Sequence, residues 1–117
     1  MGDSLERMGD RIEQFNAERD WAQFHNAKDV SISLALEAAE LMEHFQWKNP
    51  DEIEAHIRER KEEISDELTD VLYWVILFSR RFDIDLETAF ERKMRENEEK
   101  YPVEKAKGRH SKYTSYQ

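Results

Sequence analysis

The chain has 117 residues, of which 38% are hydrophobic, 38% charged and 11% aromatic, enough for one domain with a real core and too apolar for a disordered chain. It contains no cysteine, which excludes disulfides, thiolate-bound zinc and iron–sulfur clusters. The net charge of −9 disfavours nucleic-acid binding through the phosphate backbone, although from Val103 onward the balance is +3, leaving −12 on residues 1–102.

An acidic domain over residues 1–102 and a basic tail over 103–117 are therefore expected. Three glycines and two prolines favour long uninterrupted elements, and no stretch alternates as a strand does. The expected fold is all-α, a bundle of four to five helices. Leu5, Met8, Ile12 and Phe15 recur at helical spacing and predict a first helix over 4–18, with Asp3 and Glu6 placed as a capping box. A loop, "RDWAQFHNAK", comes next. The second helix is predicted from near Asp29 to about Gln46. Asn49, Pro50 and Glu52 then signal a restart: a cap, a proline at the first position and an acid at the third. From there the chain reads as one long helix, or as a short polar helix joined to a core helix ending near Arg81. Asp83 and Asp85 punctuate, a further helix runs from about Leu86 to Lys100, and Pro102 stops it. The last fifteen residues show no periodicity. The longest wholly apolar run, Val71 to Phe78, falls far short of the roughly 20 residues that span a bilayer, so no membrane partner is expected. No charged-then-apolar leader opens the sequence, which predicts no signal peptide and a cytoplasmic location.

Two predicted helices carry acids where a core should be. At about 100° per residue, Ser33, Glu37, Glu40 and His44 share one stripe of the second helix. Ile32, Leu36, Ala39, Leu34, Leu41 and Phe45 cover its other sides, and a helix apolar nearly all round is expected to be buried. Glu63, Glu67, Asp70 and Trp74 align in the same way on the core helix, flanked by Ile64, Val71, Val75 and Phe78. The two stripes are expected to face one another. Most helical acid pairs of this spacing are solvated faces matched by Lys or Arg. Here no Lys or Arg lies between Asp29 and Trp47, nor between Glu62 and Ser79. Half-buried carboxylates in opposition are costly unless protonated or neutralised by a cation.

An all-carboxylate set points to a hard ion, Mg²⁺ or Mn²⁺, in preference to zinc. A di-iron bundle would need ExxH motifs on two helices, whereas His44 lies three residues after Leu41. Because Mg²⁺ is commonly shared between carboxylates and substrate phosphates, a phosphate-bearing substrate is implied. On the last helix Lys93, Asn97 and Tyr101 share a face with Leu86, Phe90 and Met94, placed either to meet an anion or as a snorkelling lysine and a satisfied core amide. Trp21, Phe24, His25 and Trp47 are available to stack on a base or to fill a core.

The pair Glu37-x-x-Glu40 and Glu67-x-x-Asp70 on two helices of a small acidic all-α chain resembles the MazG-like nucleoside triphosphate pyrophosphohydrolases. The segments "ERDWAQFH", "ALEAAELMEHFQWK", "EEISDELTDVLYW" and "KYPVEKAKGRHSKYT" are similar to the dCTP pyrophosphatase branch of that family. The resemblance covers about Phe15 to Thr114. It implies an interlocked homo-oligomer, a homodimer or a tetramer of paired dimers with the tetramer favoured. It also implies hydrolysis of a (deoxy)nucleoside triphosphate between its α and β phosphates. Carried over residue by residue, Glu37, Glu40, Glu67 and Asp70 become the catalytic carboxylates and Mg²⁺ ligands. The attacking water is activated either by the metal or by one of the carboxylates as general base, for which Glu40 is the candidate. Lys93, Asn97, Tyr101 and Lys28 become phosphate-binding residues, and Trp21, His25 and Trp47 line the base and sugar pocket. The tail, through Lys105, Lys107, Arg109 and Lys112, is expected to close over the triphosphate. One feature departs from the branch, whose members tend to place glycine before each acid of the first motif: here Leu36 precedes Glu37 and Ala39 precedes Glu40. Two other classes stay open at this point, a non-catalytic helical interaction module and a hydrolase of a different or modified nucleotide.

Overall fold

In a computed structural model of the chain, residues 2–108 and 110 are described, the side chains of Gly2 and Asp3 excepted. The expected cap at Asp3 and the tail residues Arg109 and Lys112 therefore lie outside the described residues. Every regular element among those described is helical. The chain forms two units, the first ending at Asp83 and the second beginning at Ile84.

The first unit holds α1 (Gly2–Glu18), α2 (Ala27–Glu43), α3 (Pro50–Glu59) and α4 (Lys61–Arg81), with a 3₁₀ turn at Ala22–Phe24 between α1 and α2. α2 starts two residues before the expected Asp29 because Asn26 caps it. The Asn26 Oδ1 accepts the Asp29 N–H at 2.8 Å while its Nδ2 donates to the Asp29 carboxylate at 2.8 Å. The helix also ends earlier, at Glu43, and residues 44–47 form a tight turn in which the Phe45 N–H donates to the Met42 carbonyl at 2.9 Å. That turn delivers the chain to Asn49, whose side chain accepts the Glu52 N–H at 2.9 Å as Glu52 accepts the Asn49 N–H at 3.1 Å. With Pro50 in the first turn this is a complete capping box. Asn49→Ala is expected to cost about 1 kcal/mol, readable as a lowered denaturant midpoint at unchanged m-value.

Of the two readings for residues 50–81, the structure takes the divided one. The chain bends at Arg60 (φ −122°, ψ 30°), so α3 and α4 are separate helices. Left-handed aspartates end two helices without glycine: Asp20 (φ 54°) after α1 and Asp83 (φ 55°) after α4.

α1, α2 and α3 all pack on α4, the element with the longest apolar run. The packing of α1 differs from the expected Leu5–Met8–Ile12–Phe15 face. Met8 and Phe15 stay 44% and 39% exposed, while Gly9 and Asn16 turn inward. Asn16 is buried because its amide is satisfied there: Nδ2 donates to the Ile12 carbonyl at 3.0 Å and Oδ1 accepts from the Tyr73 hydroxyl at 3.2 Å. Gly9 lets the Arg80 guanidinium approach the α1 backbone, where a Cβ would collide with it. Arg80 pairs there with Asp10 and, at 3.6 Å, with Glu13.

Fully buried apolar side chains are few among the described residues of the chain taken alone: Val30, Ile76 and Leu77. The expectation that α2 is buried nearly all round fails here. Ile32 and Leu36 on that helix are 47% and 60% exposed, and Leu68 on α4 is 56% exposed.

The second unit holds α5 (Leu86–Lys100), spanning the expected residues, and a single turn α6 (Val103–Ala106) where the sequence shows no periodicity. Asp85 caps α5, accepting the Thr88 N–H at 3.2 Å and its hydroxyl at 2.9 Å. Among the described residues no helix is long and apolar enough to cross a membrane.

Candidate active site

The two acid stripes do meet. α2 presents Glu37 and α4 presents Glu67 and Asp70, and one oxygen from each of the three carboxylates lies within 4.8 Å of the others. Glu40, one turn along α2, stands outside that trio, near enough for its charge to act on both Glu37 and Glu67. Glu37 and Glu67 are half-buried, whereas Glu40 and Asp70 are exposed.

No lysine, arginine or histidine forms an ion pair with any of the four among the described residues. Two of their oxygens, Glu37 Oε2 and Glu67 Oε2, are buried without a hydrogen-bond partner. Acceptor-only groups in that state are costly to keep unpaired. Burial is the first cause that raises the Glu37 carboxyl above its ordinary range, followed by the hydrogen bond and charge of Glu40 and the charges of Asp70 and Glu67. Burial likewise leads for Glu67, followed by the charge of Glu40, its hydrogen bond, and the charge of Asp70, with His44 offsetting a part. Such a set lowers its energy by taking up protons or a cation. Orphaned carboxylate oxygens converging from two helices fit a hard divalent ion, and an all-oxygen donor set is what such an ion prefers.

Residues 32–115 match the model of the MazG-like family. The chain belongs to that family. It is 39% identical over 103 residues to dCTP pyrophosphatase 1 of Rattus norvegicus and 36% identical over 103 residues to that of Homo sapiens. Each alignment covers 86% of this chain and 61% of the relative, so the chain spans about three-fifths of the length of these curated relatives. Among solved structures, a pyrophosphatase from Archaeoglobus fulgidus superposes with a TM-score of 0.81 at 35% identity, covering 85% of this chain and 93% of that one.

The other expected site residues of this MazG-like chain are distributed unevenly. Trp21 opens the 3₁₀ turn and packs edge-on against Phe15 with ring centroids 5.6 Å apart; Phe15 in turn meets Tyr73 at 6.5 Å. His25 closes that turn and packs edge-on against Trp74 at 5.8 Å, and Arg81 donates to its carbonyl at 3.0 Å. Burial first, then the Arg81 charge, hold the His25 imidazole below its usual pKa and so favour the neutral ring. Trp47 stands apart on the turn after α2, 87% exposed. Lys28 is exposed in the first turn of α2. In the second unit Lys93 is exposed and pairs with Glu96 at 3.5 Å, while the Asn97 carbonyl accepts the Tyr101 N–H at 2.9 Å.

Sequence reasoning missed two residues beside the acids. His56, on α3, lies 2.7 Å from the Nδ1 of His44 through its Nε2, and Lys48 lines the same cavity. The signal is present in the sequence: His56 lies three residues after Ile53 on a short amphipathic helix, and both are half-buried in the structure.

Proposed function

We propose that this chain is a nucleoside triphosphate pyrophosphohydrolase acting on dCTP or a related (deoxy)nucleoside triphosphate. The products are the nucleoside monophosphate and pyrophosphate. The observation that carries the reading is the pair of orphaned, buried oxygens of Glu37 and Glu67, on carboxylates that converge with Asp70 and have no protein counter-ion among the described residues. The names of the similar dCTP pyrophosphatases and of the archaeal pyrophosphatase support the reaction class.

Glu37, Glu40, Glu67 and Asp70 would hold Mg²⁺, with Mn²⁺ as a substitute. When bound, the ion supplies positive charge against the α-phosphoryl oxygen and the departing pyrophosphate. Glu40, exposed and outside the tight trio, takes the proton of the attacking water. The water oxygen forms its bond to the α-phosphorus as the bond from that phosphorus to the α–β bridging oxygen breaks. Lys93, Asn97, Tyr101 and Lys28 are assigned to the phosphates, and Trp21, His25 and Trp47 to base and sugar. The neutral His25 ring, packed on Trp74, suits hydrogen bonding to an uncharged base.

The reading includes self-association as a homodimer or homotetramer. Its support is the apolar surface that α2 and α4 leave uncovered, Ile32, Leu36, Leu68 and Leu72 among it.

The test is product analysis after incubation with each dNTP, with Mg²⁺ and with chelator. Monophosphate and pyrophosphate in equal amounts, only with Mg²⁺ and fastest with dCTP, is the expected result. Diphosphate and free phosphate would overturn attack at the α-phosphorus. No turnover of any nucleotide by folded protein would favour the interaction module.

A further inference from the structure

Beside the carboxylate set lies an open cavity of about 400 Å³ lined by Glu40, Glu43, His44, Lys48, His56 and Glu67. Every lining side chain is ionisable, and the only rings among them are the imidazoles of His44 and His56, which hydrogen-bond to each other. Its acids and its donors do not satisfy each other. Lys48, half-buried, forms no ion pair among the described residues although three carboxylates share its cavity. The acids likewise lack cationic partners, and Glu67 Oε2 has no hydrogen-bond partner at all.

The histidines add a donor that does not depend on tautomer. His44 Nδ1 and His56 Nε2 are 2.7 Å apart, so one ring donates to the other. Whichever ring does so, the neutral pair is left with one outward N–H and one outward lone pair. The pair ties the C-cap of α2 to α3 and fixes the turn that carries Lys48. A cavity lined by acids together with a lysine and an imidazole pair suits a ligand that brings both signs of charge, as a metal-bound polyphosphate does.

We propose that Lys48 and the His44–His56 pair form the subsite for the β and γ phosphates, and hold the pyrophosphate after cleavage. The assignment rests on the function proposed above and adds residues that it does not include. These groups touch the leaving end of the substrate and not the α-phosphorus. Their loss therefore weakens pyrophosphate and triphosphate while leaving the nucleoside monophosphate alone.

Calorimetric titration of the full chain with pyrophosphate and, separately, with dCMP, both in Mg²⁺, tests this. Lys48→Met and His56→Gln are each expected to weaken pyrophosphate on the order of tenfold, as loss of a charge-assisted hydrogen bond does, with dCMP affinity unchanged. Lys48→Arg keeps the charge and is expected to restore most of the affinity. Matching circular dichroism and Tm show that the variants are folded. Wild-type affinity for pyrophosphate in both variants, or weakening of dCMP to the same degree, would overturn the assignment. So would a wild-type chain that does not bind pyrophosphate. Turnover of dNTPs by the wild type is read separately, so the subsite can fail while the reaction stands.

Discussion

Glu67→Gln is expected to abolish turnover, by about a thousandfold or more, and at the same time to make the metal-free protein harder to melt. The two effects have one cause. Glu67 Oε2 is buried without a partner, and the charges of Glu40 and Asp70 raise its pKa beyond what burial does alone. Glutamine keeps the shape and removes the charge, so the repulsion across α2 and α4 falls while one of the proposed metal ligands is lost. The pH dependence has a definite sign. A carboxyl raised above its unfolded value binds more protons folded than unfolded, so stability falls as pH rises from the ordinary carboxylate range through the raised pKa of Glu37 and Glu67. Metal-free wild type should therefore have a lower Tm at pH 7 than at a pH just above 4. Glu67→Gln should flatten that slope, and Mg²⁺ should raise the Tm of the wild type only. Melting curves across pH, with Mg²⁺ and with chelator, check all three. A variant that melts below wild type in chelator would mean that Glu67 is held by a partner and is not an opposed, uncompensated charge.

Much of this site is legible in the sequence. Glu37, Glu67 and Asp70 converge because both helices keep 3.6 residues per turn over the whole motif, and periodicity is what sequence records best. The capping box at Asn49 and Glu52 is legible for the same local reason. The start of α2 is harder to place because Asn26 and Asp29 both suit a cap, and only the side-chain geometry shows that Asn26 caps while Asp29 braces it. Asn16 is invisible as a core residue because its burial depends on Tyr73, 57 residues away. His56 depends on a turn whose path composition does not specify. The burial of α2 is overestimated for a different reason. An apolar stripe records that a face will be covered, but not whether its own chain or another copy covers it.

That last distinction carries the second large prediction. Leu68 is 56% exposed on α4, and in a chain that stayed monomeric Leu68→Glu would be a surface change costing within about 0.5 kcal/mol. In an assembly that buries Leu68, each copy would instead place an unpaired carboxylate in an apolar interface, forfeiting about 1.5–3 kcal/mol of leucine burial and adding the cost of the charge. A symmetric interface repeats that loss in every subunit. Leu36→Glu, on α2 and 60% exposed, is the parallel case. Under the proposed self-association, the wild type is expected to sediment as an oligomer with Tm rising with protein concentration, and both variants to sediment as smaller species and to melt well below it. Placing the same charge at an exposed polar position, such as Gln14→Glu on α1, should do neither. If Leu68→Glu leaves mass and Tm unchanged, the exposed stripe on α4 is ordinary surface, and self-association has to be sought on another face. If it dissociates the oligomer and turnover falls with it, the carboxylates of one copy need the second to hold their helices in place, since Leu68 lies directly beside Glu67 on the same helix.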